Sequence, residues 1–152
     1  MFAYDLPPLL QLSNIAAAES VALIREAKQQ DLTITCDVAA HQLLMTDELL
    51  ADFDTNYKVN PPLRTEADRF ALLEGLKDGT IDVIVSSHQP QDIESKRCEF
   101  DLAEFGMLGL PTFLPILTQV VSEALPWWSL LDRCTHIPRE LLTLPLPKIA
   151  EG

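Results

Sequence analysis

Two hydrophobic periods run through this chain. Leu9 to Leu12 is a short apolar run, and Leu32 to Val38 (LTITCDV) is β-branched and alternating, so both read as strands. Between them Ala17, Val21 and Ile24 fall at i, i+4 and i+7, leaving Arg25, Lys28 and Gln29 for water. That spacing predicts a helix from Ala16 to Gln30. Met1 to Pro8, with adjacent prolines, reads as loose chain. Thr46 to Asp52 predicts a short helix with Thr46 as N-cap and Glu48 in its first turn.

The stretch Lys58–Gln91, KVNPPLRTEADRFALLEGLKDGTIDVIVSSHQPQ, carries the clearest order. Asn60-Pro61-Pro62 cannot be helical, because both prolines lack a donor and push the residue before them to extended geometry. Thr65 then caps a helix, with Asp68 three residues on, and Leu72, Leu73 and Leu76 form its buried stripe. Gly79 fits the position after the C-cap. Ile81 to Val85 is apolar except for Asp82 and predicts a strand buried on both faces. Beyond a polar loop, Phe113 to Leu125 is helical in spacing, and Trp127–Cys134 and Pro138–Leu142 predict two further short helices. Strands alternating with helices predict an α/β fold with a parallel sheet. Three strands are too few for a closed barrel, which takes about 250 residues.

Charge removes several function classes. Asp and Glu number 23 against 11 Lys and Arg, a net charge of −12 in 152 residues. Nucleic-acid and anionic-membrane surfaces need clustered cations, so neither partner is expected. No apolar run approaches the roughly 20 residues of a membrane span. Cys36, Cys98 and Cys134 are far apart with no CxxC spacing, which suits reduced thiols in a cytoplasmic protein.

The chemical motifs are sparse. None of the five glycines falls in a phosphate-loop pattern. His41 and His88 each follow a strand, so they are either two ligands of a metal site or two hydrogen-bonded structural histidines. Ser86 and Ser87 precede His88, but neighbours on a strand face opposite ways and no GxSxG surrounds them. The Trp127-Trp128 pair reads as core or subunit contact.

At Lys58–Arg64 the residues become specific. Asn-Pro-Pro-Leu-Arg, Leu-Leu-Glu-Gly-Leu and Asp-Gly-Thr-Ile-Asp follow one another here as they do in the long, bacterial-type dihydroorotases, where the run ends in Asp-His-Ala-Pro-His. Asp37 to Asp47 resembles that family's Thr-Pro-His-His-Leu-Leu-Leu-Thr segment, and Phe105-Gly106 with Gly109 matches its Phe-Gly-x-x-Gly turn. The resemblance implies a partial (β/α)8 TIM-type barrel of the amidohydrolase superfamily, about its last three β/α units. Residues 1–152 would then form the C-terminal part of a barrel domain, incomplete at both ends. It also implies a zinc cyclic amidohydrolase, interconverting N-carbamoyl-aspartate and dihydroorotate through a metal-bound hydroxide and a proton-moving aspartate.

The departures fall on that chemistry. Ser87 stands at the catalytic aspartate, Asn14 at a zinc-ligand histidine, and Gln91 at the substrate-binding histidine. Gln42 replaces the second histidine of the His-His pair, and His41 and His88 match positions that are not zinc ligands in that family. Asn60, Phe105 and Gly106 retain substrate-touching positions. No catalytic residue and no metal ligand is therefore expected, and no cofactor. Non-catalytic relatives of this kind associate with aspartate carbamoyltransferase, so its catalytic chain is the expected partner, in a homo- or hetero-oligomer. An active dihydroorotase with unusual ligands, and a metabolite-binding sensor using Asn60, Gln91 and Phe105-Gly106, remain alternatives. Exposed sheet edges would make the isolated chain poorly soluble or oligomeric.

Overall fold

Three short strands supply the frame: β1 (Leu10–Leu12), β2 (Ile34–Ala39) and β3 (Val83–Val85). All pair in parallel in the order β1-β2-β3, with Leu10 opposite Ile34 and Asp37 opposite Val83. The chain is seen in a computed structural model that describes residues 10–123 and 125–146, so expectations for Met1–Pro8 and the last residues lie outside the described part.

The two long crossovers are helical. α1 (Ala18–Gln29) links β1 to β2, and α2 (Glu66–Lys77) lies beside it and leads to β3. Val21, Ile24, Leu72 and Leu76 from these helices meet Cys36, Val38 and Ile84 from the sheet, all 2% exposed or less. Leu117, Val120 and Leu130 join the same core from α3 (Phe113–Glu123) and α4 (Trp127–Cys134). Trp127 packs on the core's edge while Trp128 is 76% exposed, so the tryptophan pair divides between core and surface. α5 (His136–Leu141) stands against the opposite face of the sheet, across a small cavity bounded by Asp37, Val83 and Val85.

Several boundaries moved for identifiable reasons. Thr46 makes no side-chain cap, and Asp47–Leu50 is a 3-10 turn instead of an α-helix. The Leu49 amide, which an N-cap side chain would take, is bonded instead to the Thr46 carbonyl at 3.2 Å, and the Asp47 amide to the Arg64 carbonyl at 2.9 Å. β3 is three residues long, not five. Ile81 N–H turns back to Gly75 O at 2.9 Å, and the Asp82 carboxylate takes the Cys36 amide at 2.9 Å. The last helix begins at His136 instead of Pro138, one residue after α4 ends, with Pro138 in its first turn. Gly79 follows the C-cap of α2 at φ 83°, as its position predicted.

Arg133 ties the C-terminal helices to this frame. Its guanidinium donates to Leu76 O at 2.8 Å and to Ile81 O, where α2 hands over to β3. Lys28 closes the same end by reaching both oxygens of Asp82 at 2.8 Å.

Candidate functional site

The carboxyl ends of parallel strands are where α/β folds gather chemistry. At the end of β1 the chain turns through Ser13 and Asn14, the latter in left-handed geometry at φ 55°. One buried carboxylate fixes that turn. Asp37 of β2, 5% exposed, accepts from Gln11 Nε2 (2.9 Å), Ser13 Oγ (2.9 Å) and the Asn14 amide (2.7 Å). The Asp37 carbonyl also accepts from Ile15 N–H at 3.0 Å. The Asn14 side-chain oxygen is left buried without a partner among the described residues.

At the end of β2 a 3-10 turn, Ala40–Leu43, buries His41 and Gln42. Gln42 donates its amide to Pro61 O and Pro62 O at 3.1 Å each, and so pins the loop that carries Asn60. His41 Nδ1 has no partner among the described residues, and burial lowers its pKa to about 4, so the ring is neutral near pH 7. The expectation of two hydrogen-bonded histidines is therefore corrected for His41.

At the end of β3 the strand stops at Val85, and Ser87 takes φ 45°. Opposite strand faces are thus not what separates Ser87 from His88. Instead the Leu110 amide donates to His88 Nδ1 at 3.2 Å. That bond makes Nδ1 the acceptor and leaves the ring proton on Nε2, with no free lone pair for a metal or a serine proton. Gly109 makes this packing possible, because a Cβ there would stand 2.1 Å from Ser86 O. Gly109→Ala is expected to lift the turn off the strand end and cost on the order of 2 kcal/mol. Loss of protection at the Leu110 amide, read by hydrogen exchange, checks it.

Of the positions expected to hold a ligand, Gln91, Phe105 and Gly106 come together, whereas Asn60 does not border their cavity. Gln91 Nε2 donates to Phe105 O at 2.9 Å, and Gly106 N–H donates to Lys58 O at 2.9 Å, two residues before Asn60. Gln91 and Gly106 border a cavity of about 340 Å³, with Asn56, Tyr57 and Lys96 on its wall. A larger cavity among the described residues, about 520 Å³, lies between Leu12, Ile24 and Pro61-Pro62, is mostly apolar, and takes in Asn14 but neither Gln91 nor Gly106. Asn14 and Ser87 follow the ends of β1 and β3, the two strands that flank β2 and do not pair with each other.

The described strand ends bring together no zinc ligand set of their own. They offer an amide oxygen, a hydroxyl, two imidazoles that are buried or already engaged, and the Asp37 carboxylate, which is taken up by Gln11, Ser13 and the Asn14 amide. Among the described residues no three His, Cys, Asp or Glu side chains converge to hold a metal. The thiols are no substitute: burial pushes Cys36 and Cys134 up to about 11, and all three cysteines are unpaired. No described helix is long and apolar enough to cross a membrane.

Asp37 and Lys58 escaped the sequence reading, and Gln42 entered it only as the replacement of a histidine. The signal for Asp37 was a lone carboxylate inside the alternating run LTITCDV.

Comparison with known proteins follows the same lines. No family model matches the chain. It is 44% identical over 143 residues to the dihydroorotase of Bacillus subtilis (strain 168), covering 91% of this chain and 33% of that protein. It superposes on the L-hydantoinase (dihydropyrimidinase) of Arthrobacter aurescens with a TM-score of 0.82 at 25% identity, covering 90% of this chain and 32% of that one. It also superposes on the inactive dihydroorotase-like domain of the Chaetomium thermophilum CAD-like multifunctional protein, with a TM-score of 0.65 at 27% identity, covering 89% and 37%. The chain spans about a third of the length of the curated relatives it matches. The fold is three β/α units of a (β/α)8 TIM-type barrel of the amidohydrolase superfamily.

Proposed function

We propose that this chain is the C-terminal part of a catalytically inactive dihydroorotase-like protein of pyrimidine biosynthesis, acting as an assembly partner of the aspartate carbamoyltransferase catalytic chain. One observation carries the inactive reading. Where dihydroorotase chemistry needs a carboxylate and an imidazole at two strand ends, Ser87 and Asn14 stand there in left-handed backbone, and His88 is bonded to Leu110 through Nδ1. A serine hydroxyl cannot take a proton near neutral pH, and an amide oxygen is a weak zinc ligand. The likeness to an inactive dihydroorotase-like domain supports the same reading. The partner rests on the family resemblance. Leu23, Leu110, Leu114 and Trp128, each more than half exposed, give it apolar surface to cover.

The test is metal content and turnover on the purified protein supplied with zinc. We expect zinc at background and no conversion of dihydroorotate. Stoichiometric zinc with turnover would establish an active enzyme and end the proposal. Co-purification with the aspartate carbamoyltransferase catalytic chain at micromolar concentration tests the partner, and clean separation would remove it.

A second reading, ligand holding without turnover, has its own observation. Gln91 donates to the Phe105 carbonyl beside a 340 Å³ cavity that Gln91 and Gly106 border, and the Gly106 amide is bonded to Lys58 on the Asn60 loop. Calorimetric titration with dihydroorotate decides it: saturable binding is expected, and its absence removes this reading.

A further inference from the structure

We infer that Lys58 is the positioning residue that couples the Asn60 loop to the Phe105-Gly106 turn. The consequence for ligand affinity rests on the ligand-holding reading above, whereas the coupling itself does not.

Lys58 is 9% exposed, in a chain with a surplus of acidic residues. A buried ammonium is costly unless its donors are satisfied. Here the partners are not carboxylates. Nζ donates to the Asp101 carbonyl at 2.9 Å and lies 4.8 Å from the Phe105 ring centroid and 5.5 Å from that of Phe100. All three contacts fall on the segment 100–105, which carries the turn. The Lys58 carbonyl accepts the Gly106 amide from the same turn. One residue therefore holds the turn from both its main chain and its side chain.

The loop it belongs to is fixed independently. Val59 and Leu63 are about as buried as the core, at 5% and 4% exposed, and Gln42 holds the Pro61 and Pro62 carbonyls. Lys96 adds a second link between the neighbouring segments by donating to Thr55 O at 2.9 Å and Glu104 O at 2.7 Å. Asn60 therefore sits on a fixed loop. Gln91 and Lys96 also hold the turn that carries Phe105 and Gly106, and Lys58 is the residue that joins it to the Asn60 loop through both main chain and side chain. A carbonyl hydrogen bond from a charged donor and a cation–π contact on a largely buried lysine are together strong enough to influence the turn's position. Packing alone would need the stem of Lys58 but not its charge, and that difference makes the role testable.

The experiment is hydrogen exchange on the unliganded chain, comparing Lys58→Met, which keeps the stem, with Lys58→Arg, which keeps the charge. We expect exchange at Gly106 to rise about tenfold in Lys58→Met, with Cys36–Ala39 of β2 unchanged, and to return to within about threefold in Lys58→Arg. Unchanged protection in Lys58→Met overturns the inference, and so does Lys58→Arg behaving like Lys58→Met. Should Lys58→Met fail to fold, Phe105→Leu removes one ring face only, and about threefold faster exchange at Gly106 is then expected, with no change overturning the coupling. A calorimetric titration with dihydroorotate runs alongside. Weaker binding by Lys58→Met than by the native chain supports the ligand consequence, and equal binding overturns it. No binding by the native chain removes the ligand-holding reading and leaves exchange to decide the coupling.

Discussion

Asp68→Ala is expected to lower the stability of the fold by about 3 kcal/mol, a large effect for one polar side chain. Asp68 closes the capping box of its own helix, accepting from the Thr65 amide at 3.2 Å and the Thr65 hydroxyl at 2.7 Å. It also caps a second helix. Ala17, at the N-cap of α1, brings no side-chain acceptor, and the Ala18 amide is taken by Asp68 at 2.8 Å. Removing the carboxylate leaves helix-terminal amides at two places without partners, where an ordinary cap mutation leaves them at one. Burial alone would raise this carboxyl's pKa, but the bonds from Ala18 and Thr65 and the charge of Arg64 reverse that and hold it below the ordinary value. Its contribution is therefore present above the ordinary aspartate range and lost as pH falls through the depressed pKa. Urea unfolding at pH 7 checks the loss. Asp68→Asn, which keeps an acceptor, should lose about half as much. Equal stability of Asp68→Ala and the native chain would show that water satisfies both helix ends.

Half of that arrangement is legible in the sequence. Thr65 and Asp68 three residues apart announce a capping box, because the box is local. The bond from Ala18 to Asp68 spans 50 residues and has no local signature. The same division runs through the fold. Element order, the parallel sheet and the buried leucines of α2 follow from period and polarity, which burial imposes on neighbours in sequence. Some strand and helix ends did not follow, because tertiary partners set them. Asp82 takes the Cys36 amide and shortens β3, and the Arg64 carbonyl takes the Asp47 amide where the predicted α-helix gives way to a 3-10 turn. At the site, residue types alone revealed what the strand ends lack, since hydroxyl and amide cannot do the work of carboxylate and imidazole. The supports remained hidden. Asp37, Gln42 and Lys58 act through backbone groups remote in sequence, and no side-chain pattern records which carbonyl a lysine will reach.

The fold should also weaken steeply in mild acid, by about 3 kcal/mol between pH 6.5 and pH 4, because of His41. The ring is 4% exposed, its Nδ1 has no partner among the described residues, and burial lowers its pKa from 6.5 to about 4. The folded state therefore keeps His41 neutral over a range where the unfolded chain takes up a proton. Above pH 6.5 neither state binds that proton and the full stability remains. As pH falls through the window the unfolded state is favoured, with a slope approaching about 1.4 kcal/mol per pH unit. The carboxylates held below their ordinary value, Asp68 and Asp78 among them, lose their contributions only at lower pH, so the two effects separate on the pH axis. His41→Leu distinguishes them. It removes the titrating group and the orphaned nitrogen together, so it should flatten stability between pH 6.5 and pH 4 and raise it by about 1 kcal/mol at pH 7.5. Denaturant unfolding of both proteins across that range is the measurement. If the native chain shows no decline above pH 4.5, or His41→Leu declines in parallel with it, the buried ring is taking up its proton without cost, and a polar partner must reach Nδ1 in solution.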